Sequence, residues 1–173
     1  MPILPTVRDP RLITLRRGGT LTDEHHRLLA EWALACAEHV LPLFEQHRPD
    51  DTRPRDALGI GHAWVRGEVG MRVAHQAAFV ANAAARGMPD PVKLAALSAG
   101  QAVAVAHVAA HDLGAAAYAI RAAGASVAPD GDAADARRQE RQWQRDRLPE
   151  AVRDLVLDDQ RQRSAICWNV FDD

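Results

Sequence analysis

The sequence predicts a single all-α domain over residues 1–173: an antiparallel helical bundle or array of about five to seven helices behind an extended N-terminal arm. Three observations predict it. Ala, the strongest helix former, makes up roughly a fifth of the chain. Apolar residues recur every three to four positions after residue 20, and no strand-like alternation appears there. Gly and Pro interrupt this period so that segments of roughly 12–25 residues remain, joined by short connections.

The arm covers residues 1–20, because its Pro residues together with Gly18 and Gly19 exclude a helix. Residues 12–15 are apolar enough for a short strand. The first helix then begins at Thr20 or Thr22, either of which can cap it, and continues to about His47. Its apolar stripe consists of Leu29, Trp32, Cys36, Val40 and Leu43. This spacing predicts that Trp32 anchors the helix in the core.

The remaining helices follow from the positions of Pro, Gly and polar turns. A second helix begins at Pro54 and ends near Gly67, because Pro is favoured in a first turn and Gly after a last one. We expect the others at about 70–86, from 90 to either His111 or Ala123, at 133–147, and briefly after Pro149. Residues 158–173 are predicted to form a C-terminal tail.

The composition and the net charge of the chain limit the classes of function that we expect for it. The net charge of −2 gives no reason to expect nucleic acid or a membrane surface as the main partner. No apolar run approaches the roughly 20 residues of a membrane span, and the first nine residues hold no signal-peptide core. Cys36 and Cys167 are the only cysteines, too few for a disulfide framework. We therefore expect a cytoplasmic protein.

Two histidines on the predicted fourth helix are the strongest candidates for chemistry. His107 and His111 are four residues apart, so on a helix they share one face and are able to bind a metal ion together. His75 on the third helix is the candidate third ligand. Zinc proteases carry Glu after the first His, where this chain has Val108. The alternative is that these histidines are buried in a helix-packing seam with hydrogen-bonded rings.

The predicted fifth helix is rich in arginine and carries one aromatic residue, Trp143. Mixed charges favour a solvated face with salt bridges over an RNA-binding helix. Trp143 is either the core anchor of this amphipathic helix or an interface residue. Three acidic pairs, Asp50–Asp51, Asp158–Asp159 and Asp172–Asp173, are typical of turns and chain ends, and they also suit an inhibitor that binds a basic, nucleic-acid-cleaving toxin.

No catalytic constellation is evident. Ser98, Ser126 and Ser164 lack the flanking residues of a nucleophile motif, and the short stretch 17–20 is not a phosphate-binding loop. The sequence therefore gives no catalytic residue and no cofactor.

Several segments together resemble a bacterial family of immunity proteins associated with polymorphic toxin systems. The segments are DPRLITLRRGGTLTDEHHRLLAEWALACAEHVLPLFE (9–45), RPRDAL (53–58), AWVRGE (63–68), AGQAVAVAHVAAHDLGAAAYA (99–119), ERQWQRDRLPE (140–150) and LDDQRQRSAICWNVF (157–171). Their order is specific, whereas each Ala-rich helix alone is not. The resemblance implies an all-α fold and a protein that neutralises a cognate toxin by binding it.

These inferences give one leading hypothesis and two alternatives. The leading one is a non-catalytic immunity protein that occludes a cognate protein toxin, as a monomer or a homodimer. Its candidate partner-binding residues are Asp50, Asp51, His107, His111, Trp143, Asp158 and Asp159. The first alternative is a metal-binding helical-bundle enzyme that uses His75, His107 and His111. The second is an RNA-associated module that uses the arginine-rich helix.

Overall fold

The computed structural model describes residues 3–172, and within them the chain forms seven α-helices and no β-strand. The helices are α1 (Asp23–Glu45), α2 (Arg53–Val65), α3 (Met71–Ala84), α4 (Val92–Ala104), α5 (Asp112–Ala125), α6 (Ala133–Asp146) and α7 (Glu150–Arg163). The predicted all-α array is therefore confirmed. None of the seven described helices combines the length and apolar content that a bilayer crossing requires.

Helix α1 begins where the sequence places its cap. The Thr22 hydroxyl accepts a hydrogen bond of 3.1 Å from the backbone N–H of His25, and acidic residues follow in the first turn, where the helix dipole favours them. The apolar face of α1 packs on α4 and α5. Trp32 is only 2% exposed, and its indole N–H donates to the Gln144 carbonyl at 2.9 Å. The predicted core position of Trp32 is confirmed.

Helices α4 and α5 form the centre of the molecule, and α4 packs against α1, α2, α3 and α5. Small residues make this close packing possible. A Cβ atom at Gly100 would lie 2.1 Å from Oδ1 of Asn82 on α3, so a larger residue at this position would require the Asn82 side chain to move. The core between these helices is consequently built largely of alanine.

The N-terminal arm precedes the helices as predicted, but it is not extended throughout. Two 3₁₀ turns, Pro10–Leu12 and Leu15–Arg17, stand where the sequence predicts a short strand or extended packing, and a parallel bridge joins Thr14 to Leu21. Ile3 and Leu12 are buried against the helices. The arm folds because its few apolar side chains reach the core only if the chain turns.

The C-terminal segment differs from the predicted tail at 158–173. Helix α7 continues to Arg163 because it has an inner face, on which Val156, Asp159 and Gln160 are buried. Only after α7 does the chain leave the helix, through the 3₁₀ turn Ser164–Cys167. The last apolar residues then pack into the core. The boundary of the tail therefore lies later than the sequence predicts.

Candidate binding surface

The chain leaves the helical path between α4 and α5, at the two histidines. Helix α4 ends at Ala104, Val108 has an extended backbone (φ −139°, ψ 113°), and the 3₁₀ turn Ala109–His111 leads into α5. The prediction that His107 and His111 lie on one face of a continuous helix is therefore wrong.

Two side chains from distant elements compensate for this break. The Nε2 atom of His26 on α1 donates to the buried Val105 carbonyl at 2.7 Å, and the Arg163 guanidinium on α7 donates to the buried Ala110 carbonyl at 2.9 Å. Burial lowers the pKa of His26, which favours the neutral ring. Buried carbonyls without a partner are rare because they cost free energy, so these contacts stabilise the break.

Arg163 also holds a buried ion cluster. Its Nε donates to Asp159 Oδ1 at 2.7 Å, and its Nη2 lies 3.4 Å from Asp112 Oδ1. Burial raises the pKa of Asp112 to about 7, against the opposing effect of Arg163. Two carboxylates and one guanidinium leave the cluster with excess negative charge, which favours a proton on Asp112. Asp159, a candidate partner-binding residue, is 3% exposed and belongs to this internal cluster.

The three candidate histidines lie near one another but are not arranged as metal ligands. The His75 and His107 rings stack, with centroids 4.2 Å apart, and His111 Nδ1 donates to Gln101 Oε1 at 2.7 Å. Burial lowers the pKa of His111 to about 4 and also lowers that of His107. Among residues 3–172, no three His, Cys, Asp or Glu side chains form a metal-binding group. The geometry does not support the metal-enzyme hypothesis.

A cleft of about 340 Å³ opens between the folded arm and the α4–α5 connection. We call it the basic cleft. Its charged and aromatic lining residues are Arg8, Arg16, Arg17, His26, Trp64 and His107, and none of its lining residues carries a carboxylate. The arm forms one wall, so the cleft exists only because residues 3–21 fold back over the helices. Sequence reasoning missed it because it treated the arm as extended.

Two of the three cleft arginines have no counter-ion. Arg16 forms an ion pair of 2.8 Å with Asp23, whereas the guanidinium groups of Arg8 and Arg17 make no hydrogen bond or ion pair within residues 3–172. The positive charges of Arg8 and Arg17 affect the titration of His107, which lines the cleft. The pKa of His107 is lowered first by burial, then by His75, and then by Arg17 and Arg8. The cleft is therefore a region of positive potential in a chain of net charge −2.

Helix α3 carries most of the exposed large apolar side chains. These are Met71, Val73, Phe79 and Val80, which we call the α3 face. The buried side of α3 consists of alanines alone: Ala74, Ala78, Ala81 and Ala84. The larger apolar residues thus face solvent, the reverse of an ordinary amphipathic helix. Exposed apolar patches of this kind mark interaction sites.

The α3 face and the basic cleft are neighbours. Met71 belongs to both, and His75 joins them because its ring stacks on His107 and lies 4.9 Å from the Phe79 ring. Of the residues that the sequence singles out, His107 therefore lies at this surface. The sizes of the apolar residues on the two sides of α3 would have placed the larger ones inside, so the sequence alone does not reveal that they are exposed.

The candidate acidic residues lie on other elements. Asp50 is exposed in the α1–α2 connection, and beside it Asp51 pairs with Arg53 at 2.6 Å. Asp158 on α7 pairs with Arg11 of the arm at 2.6 Å. These carboxylates are thus engaged with arginines of the same chain, apart from Asp50.

Trp143 is half-buried, so it is not the core anchor of α6. The buried residues of that helix are Glu140 and Gln144. The Trp143 ring instead stacks on His39 with centroids 3.7 Å apart, and the Arg147 guanidinium lies 4.0 Å from its centroid. The indole therefore forms part of a partly exposed aromatic and cationic stack that joins α1 to α6.

The fold and surface define an all-α protein whose exposed features are an apolar helix face and a basic cleft. The chain belongs to an immunity protein family: the family model described as "Imm-5 like putative immunity protein" matches residues 19–151. This confirms the resemblance seen in the sequence. Comparisons with curated proteins and with solved structures gave no match. The α3 face lies within the matched range, whereas Arg8, Arg16 and Arg17 precede it.

Proposed function

We propose that this chain neutralises a cognate bacterial toxin by binding to it through the α3 face, without catalysis. Membership of an immunity protein family supports the neutralising role. We choose this surface because the pattern of α3 is reversed. Its large apolar side chains are exposed, whereas its buried side consists of alanine.

The α3 face has the composition of a binding site. Phe79 is 63% exposed, and an exposed aromatic residue is a common anchor of protein interfaces. Val73 and Val80 lie about a third of a turn from it around the helix, and the exposed Arg72 and Gln76 lie between. The face therefore mixes apolar and polar side chains, as protein interfaces do. The exposed side chains contribute little to the fold, so a binding partner explains them better.

Growth protection tests this proposal. A candidate toxin, chosen from the genes beside that of this chain, is expressed in a bacterial host together with wild type or with the double variant Phe79→Asp, Val80→Asp. We expect wild type to restore growth and the double variant to fail, because two buried carboxylates would oppose the interface. Leu15→Asp is the matched control, since Leu15 is 61% exposed outside α3. It should protect as wild type does.

Purified proteins separate this proposal from a homodimer. We expect toxin and wild type to co-elute as a stoichiometric complex in size-exclusion chromatography, and the double variant to elute separately with an unchanged melting temperature. If wild type is a dimer, the variant a monomer and protection complete, the α3 face joins two copies and the proposal is wrong.

A further inference from the structure

We propose that the basic cleft binds a small organic anion, with its phosphate or carboxylate group against Arg8 and Arg17 and its body against Trp64. This site adjoins the α3 face, with Met71 common to both, and the proposal does not rest on toxin binding.

The first argument is charge segregation. The chain holds 23 acidic and 21 basic residues other than histidine, so a surface cleft chosen at random would be lined by both positive and negative side chains. The cleft instead gathers three arginines and two histidines, and no carboxylate lines it. Like charges gathered without a counter-ion repel one another, and a bound anion would remove that repulsion.

The second argument is the state of the arginines. Arg8 and Arg17 have no side-chain partner within the described residues, whereas Arg16 is held by Asp23. A guanidinium group offers planar, paired donors that match the oxygen atoms of phosphate and carboxylate groups. The two unpaired arginines therefore have the chemistry and the freedom to hold an oxyanion.

The third argument is the shape and lining of the cleft. Its volume of about 340 Å³ suits a small molecule and is too small for a folded segment of a partner. Trp64, Leu12 and Met71 supply an apolar wall. In the same wall, Nδ1 of His107 is buried without a hydrogen-bond partner. A polar atom of a ligand would reach it only if the His107 ring, which stacks on His75, turned toward the cleft.

Calorimetric titration at constant ionic strength tests the proposal. Inorganic phosphate is the bare anion, adenosine monophosphate adds a phosphate to a flat body, and citrate supplies carboxylates. We expect an organic anion to bind at least tenfold more tightly than inorganic phosphate because of the apolar wall. Adenosine monophosphate and citrate show which oxyanion the cleft prefers. Trp64→Leu should weaken the binding of the organic anion more than the binding of inorganic phosphate.

The arginine variants provide the decisive comparison. Arg8→Ala, Arg17→Ala and the double variant should each weaken binding about tenfold or more, since each removes a charged hydrogen bond. Arg86→Ala is the matched control. Arg86 is exposed, has no ion pair within residues 3–172, and lies just after the C-terminal end of α3, whereas the cleft lies at the N-terminal end. It should bind as wild type does.

Three outcomes would overturn the proposal. The first is that no probe binds wild type at millimolar concentration. The second is that the double arginine variant binds as tightly as wild type. The third is that the Arg8→Ala, Arg17→Ala variant keeps its melting temperature but no longer protects against the toxin, while no probe binds to wild type. That result would assign the cleft to the toxin interface.

Discussion

Two groups of arginines in this protein are used in different ways. On α6, the Arg141 guanidinium donates to the Val170 carbonyl at 3.1 Å, and Arg145 donates to the Phe171 carbonyl at 2.8 Å. In the arm, Arg8 and Arg17 make no such contacts within residues 3–172. The first group fixes the C-terminal segment to the helices, whereas the second group faces an open cleft.

The difference shows that the number of arginines on a helix says little about binding. What matters is whether unpaired backbone acceptors lie within reach. The segment after α7 has left the helix, so its carbonyl groups need donors, and the α6 arginines supply them. The arm pairs several of its backbone groups within its own turns, for example Gly18 N–H with the Leu15 carbonyl, and so leaves Arg8 and Arg17 free. These intramolecular contacts favour a structural role for the arginine-rich helix over RNA binding.

The largest effect is expected at Arg163 on α7, a third structural arginine, which is 5% exposed. Arg163→Ala leaves Asp159 and Asp112 buried without a cation and removes the donor to the Ala110 carbonyl. Breaking a buried ion pair typically costs about 3–5 kcal/mol. We expect a loss of this size in denaturant unfolding. Arg161→Ala, an exposed neighbour on the same helix, is the control. Equal midpoints for the two variants would contradict the structural role of Arg163.

The next largest effect concerns pH and His111. Burial lowers the pKa of His111 to about 4, with His107, Arg163 and Arg8 acting in the same direction. Since an unfolded histidine titrates near 6.5, His111 by itself lowers the stability of the folded chain by up to about 3 kcal/mol as the pH falls from 6.5 to 4. Above pH 6.5 this contribution is fully present. Asp112 acts in the opposite direction, because burial raises its pKa to about 7. We expect the neutral variant His111→Gln to reduce the slope of unfolding free energy against pH.

His26 and His107 have lowered pKa values and Asp112 has a raised one, so a pH dependence from these groups should remain in that variant. Unfolding measured from pH 4 to 7.5 checks this. Identical slopes for wild type and variant would show that His111 is accessible to protons in the folded chain.

Much of the fold follows from local signals in the sequence. The Thr22 cap, the stripe through Trp32 and the Pro and Gly breaks correctly predict α1 and the all-α class. The break after Ala104 does not follow from such signals, because the side chains that stabilise it come from α1 and α7. A local pattern contains no information about donors that arrive from distant positions.

The candidate surface was predictable only in part. The sequence singled out His107, which lies there. It did not reveal the α3 face, because the usual rule places larger apolar residues inside, and here Ala78 and Ala81 are inside while Phe79 and Val80 are outside. The basic cleft needs the fold of the arm, and that fold depends on contacts with residues far along the chain.

An intermediate effect is expected at Arg145. Its guanidinium donates to Gln160 Oε1 at 3.1 Å and to the Phe171 carbonyl at 2.8 Å, so Arg145→Ala leaves acceptors near the core without donors. Such losses cost about 1–3 kcal/mol. We expect the melting temperature to fall and the segment after α7 to exchange its amide protons faster. Unchanged exchange in that segment would mean that other contacts hold it, and the α6 arginines would lose their assigned role.

The smallest effect is expected at the cleft arginines. Arg8 and Arg17 contribute no side-chain hydrogen bond or ion pair within the described residues, so the Arg8→Ala, Arg17→Ala double variant should differ from wild type by no more than about 0.5 kcal/mol in unfolding free energy. Because both arginines lower the pKa of His107, that pKa should rise in the variant, as nuclear magnetic resonance titration will show. A loss of stability as large as that at Arg145 would mean that the cleft arginines stabilise the fold in the same way as the α6 arginines.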